Sequence, residues 1–245
     1  MFPRTAFLVD ADFFLRQHRY HLGGEHFDDP RQVARDLRRQ CLDHLFWVRS
    51  RTGQREQIGR LYRIFVYDCA PMVKKAHHPQ TGRAIDFSKT PLAVFRTAFH
   101  DELRKTPNVA LRLGYLDDAN AHWRLADPRK LRDLAAGKLD VAELVEADFV
   151  YHARQKAVDM KLGLDIAALA YKRLVERIVL IAGDSDFVPA AKMARREGIE
   201  FVLDAMWKTI RPDLQEHVDV LRSTIRRQES RGARPDGEPT EHPEG

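Results

Sequence analysis

The sequence predicts an α/β protein, a mostly parallel sheet with helices on both faces. Three observations point there. Short apolar runs alternate along the chain with segments of helical periodicity. Acids stand at the ends of these strand-like runs, at Asp10, Asp68, Asp117 and Asp184, and open α/β sheets bind ligands beyond the carboxyl ends of their strands. The chain has 245 residues, 44% of them hydrophobic, which suffices for a sizeable core and is too apolar for a disordered protein.

The elements follow in order. Thr5 to Asp10 (TAFLVD) is a short buried strand. From Pro30 to Arg49, Val33, Leu37, Cys41, Leu45 and Val48 recur at helical spacing, and Asp28-Asp29-Pro30 starts that helix. Trp47 falls among its core positions. Leu61 to Asp68 is a second strand, followed by a long polar loop from Cys69 to about Thr90, a length typical of functional or mobile loops. Pro91 opens a helix striped by Leu92, Phe95, Phe99 and Leu103. Val109 to Leu116 is a third strand, and Asp127 to Ala147 reads as an inserted helical segment. Val158 to Leu174 is a long helix, Arg177 to Ala182 a fourth strand, Phe187 to Arg196 a helix stopped by Gly198, and Ile199 to Leu203 a fifth strand. The expected division is one domain over 1–227, with a helical insertion around 118–150, and a tail over 228–245 whose Arg, Glu, Gly and Pro composition predicts disorder. There is no internal repeat.

Composition narrows the setting. No apolar run approaches the ~20 residues of a membrane span. The first residues show no signal-peptide pattern. Cys41 and Cys69 make neither a disulfide framework nor a metal clip. A cytoplasmic protein is expected, without a membrane partner, with a homo-oligomer left open. Lys and Arg number 41 against 36 Asp and Glu, a net charge of +5. That excess favours a polyanionic partner slightly and equally suits an ordinary basic protein.

The acids carry the chemistry. In Ile181-Ala182-Gly183-Asp184-Ser185-Asp186-Phe187 an apolar strand runs into G-D-S-D and then a helix. One of the two acids can cap that helix, but two around one turn exceed what capping needs. Asp10-Ala11-Asp12 ends the first strand, where a solvated loop acid is the plain alternative. Asp159 opens an otherwise apolar helix. Asp165 lies ~240° further round and off its face, where a salt-bridged helix acid is expected. Lys156, one turn earlier, would share the face of Asp159, or simply pair with it. Carboxylates gathered at one point repel unless a hard cation neutralises them, and Mg²⁺ or Mn²⁺ takes such oxygens. Such a site can hydrolyse a phosphodiester.

The stretches FLVDAD, QKAVDMKLGLDIA and VLIAGDSDFVPAAKMARREGIEFVL, in this order and at these distances, resemble the NYN-domain proteins. The branch they resemble is the LabA-like (DUF88) one of the PIN-like nuclease superfamily. The resemblance spans roughly residues 5–222 and is least typical over 118–150. It implies a PIN-like, Rossmannoid three-layer fold and a divalent-metal ribonuclease site. Carried over, Asp10 is the first-strand ligand, Asp159 the helix acid, and Asp184 and Asp186 complete a catalytic, metal-holding cluster. Ser185 would orient water at the metal, and Lys156 would meet a phosphate. The family's D-G-x-N is Asp10-Ala11-Asp12-Phe13 here, so Phe13 stands where Asn is usual and Asp12 is the nearest substitute. Its K-G-V-D is Lys156-Ala157-Val158-Asp159.

RNA is the implied partner. Lys74, Lys75 and Arg83 of the long loop, and Arg195 and Arg196 after the last helix, are the expected backbone contacts, with solvated faces as the alternative. His77 and His78 are read as solvated before they are read as ligands. Trp123 and Trp207 are candidates to stack on bases. Two other readings compete. A HAD-like phosphohydrolase would use Asp10-x-Asp12 as nucleophile and acid, although Phe14 and the short G-D-S-D spacing fit it poorly. An RNA-binding or regulatory module with a degenerate site would explain Phe13.

Overall fold

The computed structural model describes residues 2–23, 29–49 and 52–226, apart from the side chain of Ser185. Asp28, Arg227 and the tail expected at 228–245 lie outside the described residues. In chain order the first elements are β1 (Arg4–Asp10), α1 (Ala11–Leu22), α2 (Pro30–Asp43), β2 (Phe46–Val48), β3 (Arg55–Gln57) and β4 (Arg60–Cys69). Next come β5 (Lys75–His77), β6 (Ala84–Asp86), α3 (Pro91–Lys105), β7 (Val109–Leu116), β8 (His122–Leu125), α4 (Pro128–Ala135) and β9 (Phe149–His152). The last are β10 (Gln155–Lys156), α5 (Val158–Tyr171), β11 (Arg177–Ile181), α6 (Val188–Arg196), β12 (Glu200–Asp204), α7 (Pro212–Gln215) and β13 (Val220–Leu221).

Seven strands form one sheet in the order β10-β7-β4-β1-β11-β12-β13. All neighbours are parallel except β10 on β7. The central strands are buried on both faces, and alternate residues feed two cores. Phe7, Val9, Ile64, Val66, Val179 and Ile181 face α1, α2 and α3. Ala6, Leu8, Phe65, Tyr67, Ile178 and Leu180 face α5 and α6. The result is the three-layer α/β fold with a mostly parallel sheet that the sequence predicts. The chain builds outward from β1 through β4 and β7, then returns to the other side of β1 with β11 and continues to β12. The switch point of the sheet therefore lies between the carboxyl ends of β1 and β11.

Several local expectations change. Helix α1 was not anticipated. It follows β1 without a loop because the Asp10 carboxylate caps it, accepting the Phe13 N–H at 3.1 Å. Helix α2 stops at Asp43 rather than Arg49, and the chain turns into the β2–β3 hairpin. Trp47 is thus a strand residue, 53% exposed, with the Arg222 guanidinium over its ring. The loop after Cys69 contains the β5–β6 hairpin. The inserted segment is only partly helical, since β8 and β9 pair around α4.

A candidate acidic site at the switch point of the sheet

Register places the acids. Val9 of β1 pairs with Ile181 of β11, so Asp10 and the Gly183-Asp184 turn leave the sheet side by side. Asp184 forms the turn itself, its carboxylate accepting the Asp186 N–H at 3.1 Å. Asp186 then lies in a single 3₁₀ turn, Ser185–Phe187, and Phe187 rather than Asp186 caps α6. Asp159 stands in the first turn of α5, which packs against β4, β7 and this 3₁₀ turn. A carboxylate is favoured there by the unpaired amides of the helix start.

Two of the four acids respond to acidic neighbours. Burial pushes the Asp10 carboxyl up to about 6, with Asp12 and Asp159 adding to the rise against the Phe13 amide and Arg16. The Asp159 carboxyl is also raised, first by burial and then by the charges of Asp184 and Asp186. Asp159, Asp184 and Asp186 are exposed, so the cluster opens to solvent. Among the described residues, no three His, Cys, Asp or Glu side chains stand close enough to hold one metal ion between them. By donor type the set fits a hard divalent cation, being all carboxylate oxygen. The mutual repulsion of these groups is also what such a cation relieves.

The supporting residues fall differently from expectation. Lys156 does not share a helix face with Asp159. It belongs to β10, opposite Tyr115, and its ammonium pairs with Asp117 at 2.6 Å. The chain enters α5 through Ala157, whose φ of +67° is left-handed. This is the position where the family pattern has Gly, which explains why Gly suits it. Ala157→Gly is expected to stabilise the protein by about 1 kcal/mol, read as a higher urea midpoint with unchanged slope. No change, or a loss, would contradict this account of the turn.

Asp12 is also committed elsewhere. It is ion-paired to Arg96 of α3 and to Arg16 at 2.7 Å. It is therefore not the free acid that a HAD-like mechanism needs. Phe13 is 2% exposed and packs beneath Gly183, where any Cβ would overlap its ring. The residue that replaces the usual Asn thus wedges the G-D-S-D turn and offers no polar group to it. The Lys208 ammonium lies 5.7 Å from the centre of the Phe13 ring.

Sequence reasoning missed a buried network behind Asp12. Asp68, at the end of β4, has a fully buried side chain held by Arg96, by His100 Nε2 at 2.8 Å and by the Cys69 N–H at 2.8 Å. Burial alone would lower the Arg96 pKa, but Asp68 and Asp12 together hold it raised. Arg96 and His100 are four apart on α3, a spacing that marks one face but names no partner. The Asp165 expectation agrees with the structure, since Asp165 pairs with Arg112 at 3.2 Å and accepts the Tyr67 O–H at 2.8 Å.

The expected RNA contacts separate into two groups. Arg195 and Arg196 end α6 just before Glu200, which is level with Arg177 and Thr5 at the starts of β11 and β1. They lie at the opposite edge of the sheet from the acids, and Arg195 pairs with Asp219 at 2.8 Å. Lys74, Lys75 and Arg83 lie on the acid side. Lys74 donates to the Asp118 carbonyl at 2.7 Å, Lys75 is 3.9 Å from Asp86, and Arg83 pairs with Glu146. His77 is exposed, but His78 is buried, its Nδ1 accepting the Gln80 and Thr81 amides at 3.3 Å each. It is a structural residue of the turn. No helix among the described residues is long and apolar enough to cross a membrane.

The sequence profile of the NYN domain matches residues 81–223, more than half of the chain. That stretch includes Asp159, Asp184 and Asp186 but not Asp10, which the sheet brings to them. No curated protein matches the chain. Among solved structures, a protein of unknown function from Vibrio parahaemolyticus is similar over 89% of this chain and 91% of its own. Its identity is 14% and its TM-score 0.44. The HAD-like reading falls with the profile match: the chain belongs to the NYN domain family, within the PIN-like nuclease superfamily.

Proposed function

We propose that the protein is a divalent-metal-dependent ribonuclease that hydrolyses RNA phosphodiester bonds at Asp10, Asp159, Asp184 and Asp186. The observation that supports this is that Asp10 leaves β1 beside the turn that carries Asp184 and Asp186, while the carboxyl of Asp10 is raised by burial and by Asp12 and Asp159, and that of Asp159 by burial and by Asp184 and Asp186. These four would hold Mg²⁺ or Mn²⁺. When bound, the ion supplies activation of water and neutralises charge on the phosphoryl group. The protein supplies the frame. Asp10 is fixed by its cap to α1, and Asp184 by the turn it closes. Arg96 keeps Asp12 turned to itself. Lys74, Lys75 and Arg83 would steer the RNA backbone. We place the protein in the LabA-like branch and in a reducing cytoplasm, which suits two buried free cysteines.

One observation favours a second reading, an RNA-binding module with a degenerate site. Phe13 fills the position of a polar family residue. The same experiment separates the two. Purified protein with Mn²⁺ or Mg²⁺ should cleave single-stranded or structured RNA, and Asp184→Asn should reduce the rate by more than about 100-fold. Failure of both metals across varied RNAs, with RNA affinity unaffected by Asp184→Asn, would establish the binding module instead.

A further inference from the structure

Near the start of α1 lies a cavity of about 560 Å³, lined in part by Asp12 and within the range of small-ligand sites. It opens between the β5–β6 and β8–β9 hairpins, beyond the carboxyl ends of β4 and β7. Its walls mix aliphatic side chains with a cluster of rings. Phe87 and Tyr151 stack with ring centres 4.9 Å apart and planes 19° from parallel, and Trp123 meets Tyr151 edge-on at 5.2 Å. The lining also includes Asp12 and Arg96, which ties the cavity to the start of α1, two residues after Asp10. Positive charge adjoins it. The Lys74 ammonium is 5.9 Å from the Tyr151 ring centre, whereas Arg83 is neutralised by Glu146 of the lining.

The ring cluster of Phe87, Trp123 and Tyr151 and the Lys74 ammonium beside it suit a flat heterocycle on a phosphate backbone. We propose that this cavity is a base pocket. It takes one unstacked nucleobase of single-stranded RNA, so that an adjacent phosphate is presented to the acid cluster. The proposal rests on the ribonuclease reading for its substrate but not for its geometry. A base still paired in a duplex would first have to leave its stack, so the pocket selects single strands. It also gives the two hairpins, which add nothing to the main sheet, a role in substrate choice.

Binding in EDTA tests this without cleavage. The full chain is titrated with a fluorescent single-stranded RNA pentamer and with pentamers of the same length carrying one abasic site at each position in turn. One abasic position should weaken binding about tenfold, and the others little. Tyr151→Leu and Trp123→Leu, checked for folding by circular dichroism, should each shrink that difference while leaving affinity for the abasic RNA unchanged. Equal affinity for all pentamers in the unaltered protein overturns the base pocket, and this comparison needs no variant to fold. So does a position-dependent loss that both folded variants retain. The two readings fail separately. RNA cleavage without base-dependent binding removes the pocket alone, whereas base-dependent binding without cleavage under any metal removes the ribonuclease alone.

Discussion

Asp10→Asn is expected to abolish metal-dependent RNA cleavage and, in EDTA at pH 7, to raise the melting temperature. Both effects have one cause. The carboxyl of Asp10 stands at about 6 in the folded protein against an ordinary 3.8, chiefly because it is buried. Below pH 3.8 it is protonated in folded and unfolded chains alike, so it costs nothing. As pH rises through 6 the folded state must ionise a group it prefers to keep neutral, and stability is lost. At about 1.4 kcal/mol per tenfold in proton affinity, the loss is on the order of 3 kcal/mol above pH 6. Asparagine removes that cost and keeps the cap, since Asn caps as well as Asp. A chain of this size should gain several degrees, and the gain should vanish below about pH 4. Mn²⁺ or Mg²⁺ should raise the melting temperature of the unaltered protein and leave the variant unmoved. Thermal unfolding across pH 3.5–8 in EDTA checks the sign. A variant that melts lower at pH 7, or gains equally at pH 4, would contradict the buried, repelled carboxylate.

Arg96→Met should destabilise the protein by about 3 kcal/mol, toward the lower end of the cost of breaking a buried ion pair. The side chain of Arg96 is 12% exposed and that of its partner Asp68 is fully buried. Methionine fills much of the volume but strands the carboxylate in the core. His100 and the Cys69 amide remain as partners, which is why the loss is not larger. Adding Asp68→Asn should recover part of the loss, and the double-mutant cycle should show coupling above about 1 kcal/mol. Urea unfolding of the four proteins measures it. A single-variant cost within 0.5 kcal/mol of zero, the range of ordinary surface changes, would show that the network does not hold the β4 end. The same substitution leaves Asp12, two residues from Asp10, with only its Arg16 pair, so weaker cleavage by a folded Arg96→Met would mark Arg96 as a positioning residue.

How much of this the sequence carries depends on the range of the interaction. The central strands were legible because a strand buried on both faces is a continuous apolar run, as in TAFLVD and RIVLIA. Asp10, Asp159 and Asp184 were legible because each follows or opens such a run. Short elements were not. The β5–β6 and β8–β9 strands have three or four residues each and pair only with each other, too few for a period to show. Leu45 and Val48 continued the helical spacing of α2 numerically after the chain had left the helix. Lys156 was misplaced by one backbone conformation, since the left-handed Ala157 separates it from the helix that Asp159 opens. Partners far apart in sequence were invisible. Asp68 and Arg96 are 28 residues apart, and neither residue type implies the other. The opening charge of +5 was uninformative for a related reason. Much of the basic charge is spent within the protein, Arg195 on Asp219 and Arg96 on Asp68 and Asp12.

The central claim is that four aspartates from β1, α5 and the turn after β11 hold one divalent-metal centre. A crystal of the full chain soaked in Mn²⁺, with anomalous data recorded at the manganese edge, tests it most directly. The account predicts an anomalous peak between Asp10, Asp159, Asp184 and Asp186, with at least two of their carboxylate oxygens at about 2.0–2.2 Å. A well-ordered soaked crystal with no peak there, or with manganese bound only elsewhere, would contradict it.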